Sequence, residues 1–200
     1  MKIKRNVALM TFLKEKRGIA SFSEIRKTGF EASLKSLERS GQIEKAGRGL
    51  YRLSSGQGLS NPDLTTVSIK APHAVVCLIS ALSFHQATDQ IPHEIHLAIP
   101  RGSWANKINH PPVHYYNFSK KAYEAGIEEH IIDGRKIRVY SLAKTIADCF
   151  KFRRKIGENI GLEALKAAVS EHHISPNDIM RYAKICRAEK SIKPNLKALS

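Results

Sequence analysis

The stretch EKAGRGLYRL, residues 44–53, places two glycines around one arginine, with apolar and polar residues alternating on both sides. Alternation at period two across a glycine turn specifies a β-hairpin, because glycine reaches the positive φ values that tight turns demand. Upstream, Val7, Met10, Phe12 and Leu13 recur at helical spacing and predict a first helix to about Lys16, ended at Gly18. Ser21 and Glu24 have the spacing of a capping box, which opens a short second helix ending at Gly29. Leu34 and Leu37 give a third helix its inward side, and Gly41 closes it. Helix, helix, tight turn, helix, hairpin is the layout of a winged helix-turn-helix. Tyr51 and Leu53 share one strand face and are expected to pack the hairpin onto the core.

The domain organisation expected is a winged helix-turn-helix over residues 1–53, a linker over 54–63 and a second domain over 64–200. The linker, SSGQGLSNPD, is small and polar with two glycines and a proline. Beyond it, TTVSIKA reads as a strand and HAVVCLISALSFHQA as one buried helix. EIHLAIP and VHYYNF read as strands, and EEHIIDGRKIRVY as a hairpin turning at Asp133-Gly134. From Tyr140 onward the pattern is helical: Ser141 caps LAKTIADCFKFR, GLEALKAAVSEH follows, and Ser175-Pro176 opens a third helix. The fold class expected is α+β: the winged helix, then a mixed α/β domain with a helical C-terminus.

Charge bears on partners. The 33 Lys and Arg outnumber the 18 Asp and Glu for a net +15, and residues 1–53 alone hold 13 against 5. A basic excess concentrated in one domain suits a polyanion, above all nucleic acid. The three cysteines, Cys77, Cys149 and Cys186, are far apart among apolar neighbours and read as buried thiols of a reducing compartment. The basic N-terminus lacks a cleavage site and no run reaches the ~20 apolar residues of a membrane span. A cytoplasmic protein without membrane association is expected.

With Leu34 and Leu37 inward, Lys35, Ser36 and Arg39 face outward and Ser33 stands near the boundary. Short polar groups beside long cations suit a helix in the major groove, about 12 Å wide. Arg26, Lys27 and Thr28 at the preceding turn are placed for phosphate contacts. Arg48 at the hairpin tip, with Lys45 on its ascending strand, would reach the flanking groove or backbone. Glu31 and Glu38 oppose this reading. In the second domain, Arg153, Arg154 and Lys155 form a basic run that is either a second phosphate contact or a complement to a helix dipole. His93 and His96 point to opposite faces of an expected strand, His172 and His173 diverge, and no cysteine pair has zinc-finger spacing, so neither metal nor cofactor is expected. A phosphate-cradling glycine loop and a nucleophile elbow are both missing, which speaks against an enzyme.

Several stretches together resemble the AbiEi family of antitoxins and transcriptional regulators. They are GLYRL at the hairpin, ISALSFHQATDQIPHEIHLAIPRG over residues 79–102 and VYSLAKTIADCFKFRRKIG over 139–157. The resemblance implies the antitoxin of a type IV toxin-antitoxin pair that represses its own operon by binding promoter inverted repeats through the N-terminal domain. It implies a second domain that counteracts a nucleotidyltransferase-like toxin without a stable complex. One winged domain of this size reads too few base pairs for a unique address, so two copies are expected to sit on an inverted repeat. The motif places are held by Ser80, His85, Lys144, Thr145 and Asp148. Ser80 and His85 can satisfy each other inside the fold, and Lys144 and Asp148 stand at i,i+4 spacing. The alternatives are a winged-helix regulator without a toxin partner, or an enzyme acting on nucleic acid.

Overall fold

The computed structural model describes residues 2–55 and 59–199, so residues 56–58 of the expected linker lie outside the described residues. The fold is mixed α+β with a helical C-terminal region, in agreement with the class expected. The chain divides into two compact units, Met1–Lys70 with Ile131–Lys136, and Ala71–His130 with Ile137–Ser200.

The first unit begins with α1 (Lys2–Glu15), then β1 (Ile19–Ser21), α2 (Phe22–Lys27), a 3-10 turn (Glu31–Ser33) and α3 (Leu34–Arg39). A hairpin of β2 (Ile43–Gly47) and β3 (Leu50–Leu53) follows, then α4 (Pro62–Lys70). Leu9, Leu13, Ile25, Leu34, Leu37, Ile43 and Leu53 bury together as its core, with Met10, Phe12 and Tyr51 packed at the edge. Three sequence expectations change here. Val7 is 59% exposed, and Leu9 takes the buried place instead. At 3.6 residues per turn Val7 and Leu9 are about 200° apart, so only one of them can share a face with Leu13. The short β1 pairs antiparallel with β3, Ile19 opposite Arg52 and Ser21 opposite Leu50, giving a three-stranded sheet of order β1-β3-β2. The segment read as a strand from Thr65 is helix α4. Asn61 Oδ1 accepts the Leu64 amide at 3.0 Å and Pro62 takes the first turn, so a capped start overrides the β-branched run Thr65, Thr66, Val67.

The second unit is built on β4 (Val75–Val76), α5 (Leu78–Phe84), β5 (Ile95–Pro100), β6 (Val113–Phe118) and α6 (Lys120–Glu124). Next come β7 (Ile127–Ile132), β8 (Arg135–Tyr140), α7 (Leu142–Ile156), α8 (Glu158–Ser170), α9 (Pro176–Cys186) and α10 (Glu189–Leu199). The five-stranded sheet has order β6-β5-β4-β8-β7. β4 runs antiparallel to β5 and parallel to β8, and β5 runs parallel to β6. The stretch expected as one helix from His73 is therefore split. Val75 and Val76 pair with two neighbouring strands, and α5 begins only at Leu78, whose φ of +49° breaks the line between them. His93 precedes β5, while His96 lies on it and is buried. α7 is the central helix: every residue from Leu142 to Phe150 is buried, and α8 and α9 pack against it. Cys77, Cys149 and Cys186 are all buried and unpaired, as expected. Among the described residues no helix is long and apolar enough to cross a membrane.

Candidate nucleic-acid interface

Ser21 and Glu24 form the capping box of α2: the Ser21 hydroxyl accepts the Glu24 amide at 3.2 Å and the Glu24 carboxylate accepts the Ser21 amide at 2.9 Å. Arg135, on β8 but within the first unit, donates to Glu24 at 2.5 Å and to the Ile19 carbonyl at 2.6 Å. This clamp holds the start of α2 and the end of β1 with one guanidinium. Burial alone would raise the Glu24 carboxyl; the bonds from Arg135 and Ser21 outweigh it and hold the group below its ordinary value of 4.5. A carboxyl depressed in the fold contributes stability above that ordinary value and loses it as pH falls through the folded value. Arg135→Ala is therefore expected to cost about 1.5–3 kcal/mol at neutral pH. The gap between its urea midpoint and that of the wild type should narrow as pH falls from 4.5 through the lowered folded value of Glu24, and the part due to the bond to the Ile19 carbonyl, which does not titrate, should persist.

The α2–α3 region presents Arg26, Lys27, Lys35 and Arg39 as exposed cations over the buried Leu34 and Leu37. Ser36 is half-buried, and its hydroxyl oxygen accepts from Asn6 at 3.3 Å, leaving its own proton free for an outside acceptor. Thr28 is different. Its hydroxyl donates to the Ile25 carbonyl at 2.6 Å, so that proton serves the end of α2. Ser33 is corrected: at 4% exposure it lies inside the unit and not on the outward face with Lys35. The 3-10 turn that precedes α3 rotates it away from the position a continuous helix would give.

At the hairpin, Gly49 has φ +68° and Gly47 +147°, and Arg48 between them is exposed. Gly47 pairs with Leu50 after a bulge at Ala46, so Arg48 and Gly49 are the whole loop. The Gly49 carbonyl accepts the Phe22 amide at 2.7 Å, which ties the tip to the start of α2. Tyr51 and Leu53 pack this hairpin on the core as expected. Lys45 is exposed, with Glu38 at 3.8 Å, so part of its charge is met within the protein. Arg52 is engaged with Glu44 at 2.5 Å. Sequence reasoning missed Lys70: its Nζ comes within 3.0 Å of where a Cβ on Gly47 would stand. Only the tertiary fold of α4 brings it to the hairpin.

The remaining sequence candidates belong to the second unit. Arg153 donates to the Phe150 carbonyl at 2.8 Å near the end of α7, the dipole-complementing role. Arg154 is exposed, and the Lys155 ammonium lies 5.9 Å from the Tyr116 ring. Ser80 and His85 do not meet. The Ser80 hydroxyl accepts the His96 amide at 2.9 Å, and His85 Nε2 donates to the Tyr140 carbonyl at 2.8 Å. Thr145 donates to that same carbonyl at 3.3 Å. Lys144 and Asp148 do pair, at 2.5 Å and with no exposure of either side chain. Cys186 donates to the other Asp148 oxygen at 3.1 Å, and the Lys144 ammonium sits 4.0 Å from the Tyr140 ring. Burial pushes the Asp148 carboxyl up against the opposing pull of Lys144. Among the described residues no group of three or more His, Cys, Asp or Glu could hold a metal ion.

Residues 7–54, from α1 through β3, match the family described as transcriptional regulator, AbiEi antitoxin. No curated protein matches the chain. The matched span contains the capping box, α3 and the hairpin, and with them all the exposed cations of the α2–α3 region and the hairpin tip.

Proposed function

We propose that this protein is a DNA-binding transcriptional regulator serving as the antitoxin of a toxin-antitoxin pair, with residues 1–53 acting as a winged helix-turn-helix. The observation that carries the reading is the coincidence of the family match with the exposed set Arg26, Lys27, Lys35, Arg39, Lys45 and Arg48. In this reading α3 enters the major groove, where Lys35 and Arg39 reach the phosphates that border it and Ser36 faces the base edges, and Arg26 and Lys27 meet phosphates at its mouth. The β2–β3 hairpin is the wing. Arg48, held out on a two-residue loop, reaches the adjoining backbone or minor groove. Thr28 contributes as the cap of α2, its amide and hydroxyl both donated to the Ile25 carbonyl, and Ser33 as a core residue.

The system is of type IV, with a nucleotidyltransferase-like toxin opposed by the second domain, residues 64–200 less the stretches 64–70 and 131–136 that belong to the first compact unit, without a lasting complex. Residues 54–63 link the two activities in the cytoplasm. Arg154 and Lys155 are the members of the basic run free to meet a phosphate. Two copies on an inverted repeat would give the operator length that one small domain lacks, with half-site centres about 10.5 bp apart or a multiple of it.

The test is a titration of the native promoter duplex at several salt concentrations with the full chain and with Arg48→Ala. Each phosphate contact steepens the dependence of log K on log salt by ~0.9, so Arg48→Ala should flatten it by about one. Equal affinity and equal slope for both proteins would remove the hairpin from the interface. Growth rescue from the product of the neighbouring gene tests the antitoxin part; rescue that vanishes with promoter binding would make the protection transcriptional.

A further inference from the structure

Far along the chain from the wing, the loop after β5 carries the only tryptophan, Trp104, at 97% exposure. A side chain of that size left almost wholly in water is costly unless something covers it. Beside it opens a pocket of about 380 Å³ within the second unit, walled by Pro72, Pro100, Tyr115 and Tyr123. That volume is in the range of small-ligand pockets. The flat walls are fixed in place. The Tyr115 hydroxyl donates to the Asn106 carbonyl at 2.8 Å, and the Tyr123 hydroxyl donates to the His73 carbonyl. Arg138 donates to that carbonyl at 2.9 Å and lies 5.6 Å from the Tyr123 ring.

Charge identifies the occupant. Among the described residues no carboxylate lines this pocket. The segment RGSWANKINHPPVHYYNFSKK, residues 101–121, carries Arg101, Lys107, Lys120 and Lys121 and has neither Asp nor Glu. All four cations are exposed. An aromatic face open to solvent, as at Trp104, beside the half-buried Tyr115 and in a basic segment without a carboxylate, is the equipment with which proteins hold unpaired bases: the rings stack and the cations follow the phosphates. A duplex cannot use them, because its bases already stack on both faces.

We infer that the Trp104 pocket binds an unpaired base of a single-stranded nucleic acid. This site is separate from the proposed duplex interface and does not depend on it. Trp104, as the sole tryptophan, reports its own occupancy by fluorescence. A short mixed-sequence single-stranded oligonucleotide should quench the full-length protein, with a midpoint that rises with salt. An oligomer of abasic sites, the annealed duplex and poly-glutamate should quench much less. With a labelled single strand read by anisotropy, Trp104→Ala should weaken binding about tenfold or more, while Trp104→Phe retains part of it. Trp104→Ala should leave affinity for the promoter duplex unchanged, so failure here and failure of the regulator reading are separate results. Absence of quenching overturns the inference. So does equal quenching by the duplex, which would make this a surface for paired DNA, or by poly-glutamate, which would make it a surface for an acidic protein.

Discussion

Asp148→Ala is expected to destabilise the second unit by about 3–5 kcal/mol, the cost of leaving a buried charge without its partner. Lys144 and Asp148 form a fully enclosed ion pair, with no exposure on either side. Removing the carboxylate strands the Lys144 ammonium among Tyr140 and Phe118 and takes away the acceptor of Cys186. The ring faces offset part of that loss, and their contribution is inside the range given. Two companions make the experiment discriminating. Lys144→Met with Asp148→Leu removes both charges at similar volume and should restore most of the stability, because the pair's own desolvation cost disappears with it. Lys144→Met alone leaves a carboxyl that burial already pushes up. Its folded value then lies above the unfolded one, so this variant should gain stability as pH falls, opposite in sign to the Glu24 effect. Urea unfolding of the three variants at neutral and acid pH checks all of this. An Asp148→Ala protein as stable as the wild type would mean that the pair contributes nothing.

Replacing Lys35, Arg39 and Arg48 together by alanine is expected to weaken promoter binding by about 500-fold at ~0.1 M salt, because three lost phosphate contacts at ~0.9 each lower the salt slope by about 2.7. All three side chains are exposed, and none of the ion pairs within the protein uses them among the described residues. The fold should therefore be untouched, and thermal melting should confirm it. Partial neutralisation of Lys45 by Glu38 makes Lys45→Ala the milder change. Filter binding or anisotropy across a salt series separates the two quantities, affinity and slope. A large loss of affinity with an unchanged slope would assign the three to base edges and not to phosphates.

What could be read from the sequence is what depends on neighbours within a few residues. The Ser21–Glu24 capping box, the hairpin around Arg48, the turn at Asp133-Gly134 and the Lys144–Asp148 pair were all legible because dihedral preference and i,i+4 geometry are local. The capped start of α4 was also written in Asn61-Pro62, but the β-branched residues after it carry a competing preference. Tertiary structure decided the rest. β1 is too short to announce itself and exists because β3 offers a free edge. Val7 and Leu9 are equally apolar, and only the placement of the core chose Leu9. Arg135 clamps Glu24 across 111 residues of chain, a pairing no periodicity encodes. Trp104 stands in RGSWANKIN, a stretch without apolar periodicity that does not say which way a tryptophan will face. Its exposure, and the pocket beside it, follow from where β4, β5 and β6 leave their ends. A chain's local signals specify its elements, but the faces those elements bury, and the ones they leave open for a partner, are set when distant segments compete for the same core.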